Sequence, residues 1–66
     1  MEGKVKWFNN ERGYGFIDDG QGNDIFVHFT AIQSTGYRTL KAGEHVIFQI
    51  VEGERGPQAS HVEPLL

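Results

Sequence analysis

Hydrophobic and polar residues alternate with a period of two over several short stretches of the chain, which is typical of β-strands that bury one face. The clearest stretch covers residues 45–52. Within it, Val46, Phe48 and Ile50 share one face, and the residues between them share the other. No window repeats apolar residues at i, i+3, i+4 and i+7 for long enough to form a helix. The pattern therefore predicts an all-β chain.

Polar and glycine-rich turns divide this alternating pattern into five strands. We predict the strands at residues 3–9, 14–18, 25–29, 45–52 and 58–63. Alternation is lost over residues 30–43, which leave room for one helical turn at 31–33 capped by Thr30. Pro57 lacks an amide hydrogen and belongs at the start of the last strand. Five strands this short favour a small closed barrel, because closure removes exposed strand edges.

The alternation also separates an aliphatic core from an aromatic surface. The predicted core consists of Val5, Ile17, Ile25, Val27, Val46, Phe48, Ile50 and Val62 from the strands, together with Ile32 and Leu40 from the segment between the third and fourth strands. Tyr14 and Phe16 on the second strand face the other way, as do Phe26 and His28 on the third. Antiparallel pairing brings these four side chains onto one outer surface. In a sandwich a second layer would cover that surface, but the chain is too short to supply one, so we expect a partner there.

A length of 66 residues limits the chain to one small domain, residues 1–66, and argues against most enzymes. No serine has the context of a nucleophile motif, and the sequence has no P-loop to hold a phosphate. The histidines His28, His45 and His61 lack the spacing of a metal site. We therefore expect a protein that is not an enzyme and that uses no metal, cofactor or small-molecule substrate.

The sequence also bears on where the protein works. It contains no cysteine, which suits a reducing cytosol, and its first residues lack the apolar segment of a signal peptide. No apolar run reaches the roughly 18 residues that a membrane-spanning helix needs. We expect a cytoplasmic monomer without a membrane partner.

The positions of the charged residues say more about the partner than the net charge does. Nine acidic and six basic residues give a net charge of -3, which taken alone argues against a polyanionic partner. The cations are nevertheless interleaved with aromatic residues, since Arg12 lies in the turn before Tyr14 and Arg38 follows Tyr37. Stacking platforms flanked by cations suit a single nucleic-acid strand, whose bases stack while Lys and Arg contact the phosphates. The alternative is a protein-interaction barrel that docks a peptide, such as a proline-rich one, on its aromatic face.

Three sequence blocks carry a resemblance to a known family. They are Lys-Val-Lys-Trp-Phe-Asn at residues 4–9, Arg-Gly-Tyr-Gly-Phe-Ile at 12–17 and Asp-Ile-Phe-Val-His-Phe at 24–29. Together they resemble the signature of bacterial cold-shock proteins, and the second and third are similar to the ribonucleoprotein motifs RNP1 and RNP2. The resemblance implies a small five-stranded antiparallel OB-fold barrel that binds single-stranded RNA and DNA. It also implies low sequence specificity, a preference for T- or U-rich strands, and an ATP-independent RNA chaperone role in the stress response that affects transcription and translation.

The resemblance assigns nucleic-acid contacts to particular residues. It implies base contacts for Lys6, Trp7, Tyr14, Phe16, Phe26, His28, Phe29 and Tyr37, and it implies that Arg12, Asp24, Arg38 and Arg55 lie at the edges of the surface. We count Phe8, which follows Trp7, as a further contact. Asp24 could accept a hydrogen bond from a base amino group or could simply begin a strand, and the sequence leaves both open.

Two features of the sequence call for a structural explanation. Alternation puts Trp7 on the same side as Val5, whereas the resemblance puts it on the ligand side, so we expect a bulge or twist near the end of the first strand. His61 stands where the family usually has Asn, and Ile47 is apolar where the family often has a small polar residue. We expect these two departures to affect the stability of the last strand more than its function.

Overall fold

Short polar turns limit every strand to between five and nine residues. The computed structural model describes residues 1–33 and 39–65. In chain order its elements are β1 (Glu2–Asn9), β2 (Tyr14–Asp18), β3 (Asp24–His28), a 3-10 helix (Phe29–Ala31), β4 (His45–Gly53) and β5 (Gly56–Pro64). The strands form a closed barrel in the order β1-β2-β3-β5-β4, in which β4 pairs back with β1.

Neighbouring strands are antiparallel except at the junction of β3 and β5. β1, β2 and β3 form a meander, and β4 and β5 form a hairpin. β3 and β5 are parallel and meet through Phe26 and Gln58, and Ile32 and Val62 form an isolated parallel bridge. The predicted all-β, five-stranded OB-type barrel is confirmed, with one parallel junction where antiparallel pairing was expected. The strand bounds differ from the predicted ones by no more than two residues.

The 3-10 helix begins two residues earlier than the sequence predicted. The expected turn at residues 31–33 with Thr30 as cap is wrong, because the helix spans Phe29–Ala31 and His28 is its N-cap. The His28 ring accepts a hydrogen bond at Nδ1 from the backbone N–H of Thr30, at 3.4 Å. Histidine is not among the residue types preferred at this position, so the sequence did not point to it. No helix of the described residues has the length and apolarity needed to cross a membrane.

Aliphatic side chains fill most of the barrel interior. The buried residues are Val5, Ile17, Ile25, Val27, Ile32, Leu40, Val46, Phe48, Ala59 and Val62. Every residue predicted for the core is among them except Ile50, which is 39% exposed. Beyond Phe48 no side chain of β4 is buried, because the β4–β5 hairpin extends past the core. Burying each of the larger side chains contributes roughly 1.5–3 kcal/mol.

A β-bulge at His61 explains why Ala59 was missing from the predicted core. Between two paired positions β5 advances three residues, from Ser60 to Glu63, while β4 advances two. The extra residue, His61, has a φ of 52°, in the left-handed region. The bulge reverses the alternation along β5, so Ala59 and Val62 both face the interior although regular alternation would separate them.

Candidate nucleic-acid interface

Four aromatic side chains meet on the outer surface of β1, β2 and β3. We call Trp7, Tyr14, Phe16 and Phe26 the aromatic cluster. Trp7, Phe16 and Phe26 are cross-strand partners in one row, with ring centroids 5.4 Å apart for the first pair and 5.9 Å for the second. The Tyr14 ring lies 5.9 Å from that of Trp7 and 6.0 Å from that of Phe26, and it is stacked on the latter at 28°. Tyr14, Phe16 and Phe26 share one outer surface, as the alternation predicted, whereas only the resemblance had placed Trp7 there.

A bulge in β1 places Trp7 in this cluster. Between two paired positions β1 advances two residues, from Val5 to Trp7, while β2 advances only one. Lys6 is the extra residue, so Val5 and Trp7 face opposite sides of the sheet. Val5 is buried, whereas Trp7 is 43% exposed. The expected bulge is therefore confirmed.

The cluster rings are accessible and are also fixed by one another. Tyr14, Phe16 and Phe26 are half-buried, and none of the four rings belongs to the core. Trp7 and Phe26 each contact the Phe16 ring at a steep angle, 59° and 75° respectively. Edge contacts of this kind hold the side chains in place before a ligand arrives, which reduces the entropy that binding would cost.

Phe8 lies apart from the cluster. It is the cross-strand partner of Gly15, is half-buried and packs against the core. A Cβ atom added to Gly15 would lie 2.7 Å from the Phe8 Cα atom, so this close approach of β1 and β2 requires glycine. The structure thus places Phe8 with the barrel interior rather than with the other predicted contacts.

His28 and Phe29 extend the aromatic surface beyond Tyr14. His28 is the cross-strand partner of Tyr14, and its ring centroid lies 4.6 Å from that of Phe29. The Phe29 ring lies over Gly13, whose φ of 77° is in the left-handed region. A Cβ atom at Gly13 would come within 2.6 Å of the Phe29 ring, so glycine is required on both counts. Thr30 holds His28 in place, with its hydroxyl 3.0 Å from Nδ1.

Two arginines flank the aromatic surface. Arg55, in the turn between β4 and β5, places its guanidinium carbon 5.5 Å from the centre of the Phe26 ring. Arg12 is exposed in the turn before Tyr14, and the Asn9 side chain organises that turn by accepting a hydrogen bond at 2.9 Å from the backbone N–H of Arg12. Cations in these positions suit contacts to phosphates on either side of stacked bases.

Lys6 and Asp24 form an ion pair beside the cluster. Lys6 Nζ donates to both carboxylate oxygens of Asp24, at 3.0 and 3.1 Å. The hydrogen bond to Asp24 is the main reason that the pKa of Lys6 is raised, and the charges of Asp24 and, more weakly, Asp18 act in the same direction. Both side chains are about half exposed, at 51% for Lys6 and 48% for Asp24.

Two predicted contacts cannot be placed on this surface, and one unpredicted residue lies beside it. Tyr37 and Arg38 lie outside the described residues. Gln58, which the sequence analysis did not include, is the partner of Phe26 at the parallel junction of β3 and β5. Only long-range pairing reveals its position, so alternation along β5 carried no signal for it. Within residues 1–33 and 39–65, no three His, Cys, Asp or Glu side chains are grouped so that they could hold a metal ion.

Comparison with known proteins identifies relatives along nearly the whole chain. Residues 1–65 match the family described as "'Cold-shock' DNA-binding domain". The chain is 64% identical over 65 residues to "Cold shock protein CspB" of Bacillus caldolyticus and, over the same length, 64% identical to "Cold shock protein CspD" of Bacillus subtilis (strain 168). Each alignment covers 98% of this chain and 98% of the relative. The "Cold shock-like protein" of Thermotoga maritima is 56% identical over 63 residues, which is 96% of each chain.

The same barrel occurs in a solved structure of lower sequence similarity. The structure described as "drosophila Unr CSD456" superposes with a TM-score of 0.80 at 24% identity. The superposition covers 98% of this chain but only 26% of the longer one. At this identity the likeness shows that the two share a fold.

Proposed function

This chain belongs to the family of cold-shock DNA-binding domains, and we propose that it binds single-stranded RNA and DNA by stacking bases on the aromatic cluster. The observation that carries the proposal is that four rings, each in contact with two of the others, lie on the outer surface, with the Arg55 guanidinium over one of them. A duplex hides the faces of its bases, so this surface favours single strands.

Stacking supplies most of the proposed affinity. Each base stacked on an aromatic ring contributes on the order of 1–3 kcal/mol. At the upper end of this range, four or five platforms supply roughly 12–15 kcal/mol, enough for submicromolar binding after the cost of ordering the strand is subtracted. The net charge of -3 leaves a smaller electrostatic contribution, which comes from a few local cations such as Arg12 and Arg55.

Low sequence specificity with a preference for T- or U-rich strands follows from the same mode of binding. Every base has a face that can stack, so the rings alone discriminate little. Strands that stack weakly on themselves cost less to open onto the protein surface, which favours pyrimidine-rich sequences. The motifs that resemble RNP1 and RNP2 support this part of the proposal, because they supply Tyr14, Phe16 and Phe26.

We further propose that the protein acts as a nucleic-acid chaperone without ATP. It would capture segments that open transiently and so shift the equilibrium of a hairpin toward its unpaired form, as any ligand selective for one state does. Hairpins in messages control both transcription and translation, so both processes would respond. The proposed role is that of a monomeric, non-catalytic binding protein acting on RNA in the cytoplasm.

Fluorescence of Trp7, the one tryptophan of the chain, provides the test. The protein is titrated with a short oligothymidine, with a duplex of the same length and with a proline-rich peptide. We expect quenching by oligothymidine at submicromolar concentrations and much weaker quenching by the duplex. Quenching by the peptide alone would replace the proposed function with the docking of a peptide on the aromatic surface.

A second measurement separates chaperone activity from binding. A labelled RNA hairpin is melted in the presence of stoichiometric protein, and its melting temperature should fall. A Phe16→Ala variant serves as the matched control, because it should lose this effect together with the affinity for oligothymidine. An unchanged melting temperature with intact binding would contradict the chaperone role and leave the binding function standing.

A further inference from the structure

The Lys6–Asp24 ion pair lies beside the aromatic cluster. Lys6 is on β1 and Asp24 on β3, so the pair bridges over β2, which lies between them in the barrel. Lys6 is also the bulged residue that turns Trp7 outward. On β3, Asp24 lies two positions from Phe26 and on the same face of the strand. The pair is therefore fixed by the same strands that position the rings.

Lys6 differs from the arginines at this surface because its ammonium group is paired with a carboxylate. Within the described ranges 1–33 and 39–65, its contact with Asp24 is the only salt bridge. Asp18, the cross-strand partner of Asp24, is half-buried and adds a second carboxylate near the ammonium group. Arg55 faces the Phe26 ring instead. An incoming phosphate would have to compete with the Asp24 carboxylate for the Lys6 ammonium group and would meet the negative charge of Asp24 beside it.

We propose that Asp24 is a selectivity residue, which holds Lys6 in the ion pair so that base stacking, rather than phosphate charge, decides which polyanions bind. This inference rests on the proposed binding of single strands by the aromatic cluster. A free ammonium group attracts every polyanion, with or without bases, through the release of counterions. An unpaired carboxylate beside the approaching phosphates repels them. Asp24 therefore weakens the binding of a base-free polyanion more than that of a strand whose bases stack.

The experiment measures binding to oligothymidine and to inorganic polyphosphate, which carries phosphates but no bases, over a series of salt concentrations. The proteins compared are the wild type, Asp24→Asn and the double variant Asp24→Asn with Lys6→Gln. Glu63→Gln is the matched control, because it removes one negative charge on β5 opposite Ile47, outside the ion pair. Thermal unfolding of each variant verifies that the barrel is intact.

The two polyanions should respond differently to the loss of Asp24. For oligothymidine, Asp24→Asn should steepen the slope of log affinity against log salt by about 0.7, the value for one more phosphate contact on a single strand. For polyphosphate, the affinity at low salt should rise on the order of threefold, and the gain should shrink as salt screens the freed charge. The double variant should return to the wild-type slope, and Glu63→Gln should not change it.

Two results would overturn the inference while leaving the proposed function intact. The first is weaker binding of oligothymidine by Asp24→Asn at an unchanged slope, which would make Asp24 a direct contact to a base. The second is an equal gain for Asp24→Asn and the double variant, which would show that Lys6 is not the cation released. Failure of the wild type to bind oligothymidine at any salt concentration would instead overturn the proposed function, and this inference with it.

Discussion

The guanidinium carbon of Arg55 lies 5.5 Å from the centre of the Phe26 ring, although the two residues come from opposite halves of the chain. Phe26 is on β3 of the meander, and Arg55 is in the turn of the β4–β5 hairpin. The parallel junction at Gln58 brings them together. A cation over an exposed aromatic ring contributes roughly 0.5–1 kcal/mol. The aromatic surface thus receives a positive charge from a segment distant in sequence.

Phe26 provides the most direct test of stacking. Phe26→Ala should weaken the binding of oligothymidine by at least about tenfold, which corresponds to about 1.4 kcal/mol and lies in the lower part of the range for one stacked base. Phe26→Leu keeps most of the apolar volume but has no aromatic face, so its affinity should fall nearly as far. Binding is measured by Trp7 fluorescence, and Ile47→Ala on β4 is the surface control. Wild-type affinity in Phe26→Ala would contradict the stacking mechanism.

Arg55 provides the test of charge. Two or three phosphate contacts predict that affinity falls roughly tenfold for a fourfold rise in salt, since each contact on a single strand contributes about 0.7 to the slope. Arg55→Gln should make the slope shallower by about 0.7, whereas Arg55→Lys should preserve it. Lys41→Gln removes an equal charge in the loop before β4 and controls for net charge. An equal change of slope in Lys41→Gln would mean that Arg55 acts through the net charge of the protein rather than through its own phosphate contact.

His61 provides a test of backbone strain. Its φ of 52° is costly for most side chains, whereas Asn adopts this conformation readily. His61→Asn should therefore stabilise the barrel by roughly 0.5–1 kcal/mol, which raises the melting temperature of a domain this small by several degrees. His45→Asn is the matched control, because His45 does not have a positive φ. Equal effects of the two substitutions would remove strain as the explanation.

Asp19 provides a test of pH dependence. Its carboxylate accepts hydrogen bonds from the Asn23 side chain at 3.0 Å and from the Gln21 backbone at 2.8 Å. These bonds, that of Asn23 above all, lower the pKa of Asp19 from its ordinary value of 3.8. A carboxylate whose pKa is lower in the folded state stabilises it above the unfolded pKa, and this contribution is lost as pH falls through the folded pKa.

Asp19→Asn should accordingly lose less stability than the wild type between neutral pH and pH values below 3.8. Urea unfolding across this range measures the free energy of unfolding of each protein. Glu63→Gln is the control, because it shows how the loss of another surface carboxylate changes the dependence of that free energy on pH. Identical acid sensitivity of Asp19→Asn and the wild type would show that the hydrogen bonds of Asp19 do not contribute to stability.

Period-two alternation was enough to predict much of the barrel, but not its two bulges. The bounds of β2 and nearly all core residues follow from which side chains are apolar. A bulge is a local irregularity in the pairing of two strands, and the sequence around Lys6 or His61 contains no pattern that reveals one. The resemblance corrected the side of Trp7, whereas nothing in the sequence corrected that of Ala59. Alternation is reliable only until the register shifts.

In the candidate site, too, some residues could be grouped from the sequence and others only from the folded barrel. Tyr14, Phe16 and Phe26 could be grouped from the sequence because they lie on strands adjacent in the chain. The contact of Arg55 with Phe26 depends on barrel closure, and the ion pair of Lys6 depends on a reach across β2, so neither has a local signature. The nucleic-acid contacts assigned to all of these residues, and to Tyr37 and Arg38, stay predictions.

The aromatic surface spans the parallel junction between β3 and β5, so a ligand bound there would increase the fraction of the protein that is folded. A strand bound over both Phe26 and Arg55 can be held only while the meander and the hairpin are together. Such a ligand raises the free energy of unfolding by mass action, by about 2.7 kcal/mol at one hundred times its dissociation constant. A chain of 66 residues buries a smaller share of its surface than a larger domain does, so an abundant partner would protect the protein from proteolysis and its scarcity would shorten the protein's lifetime.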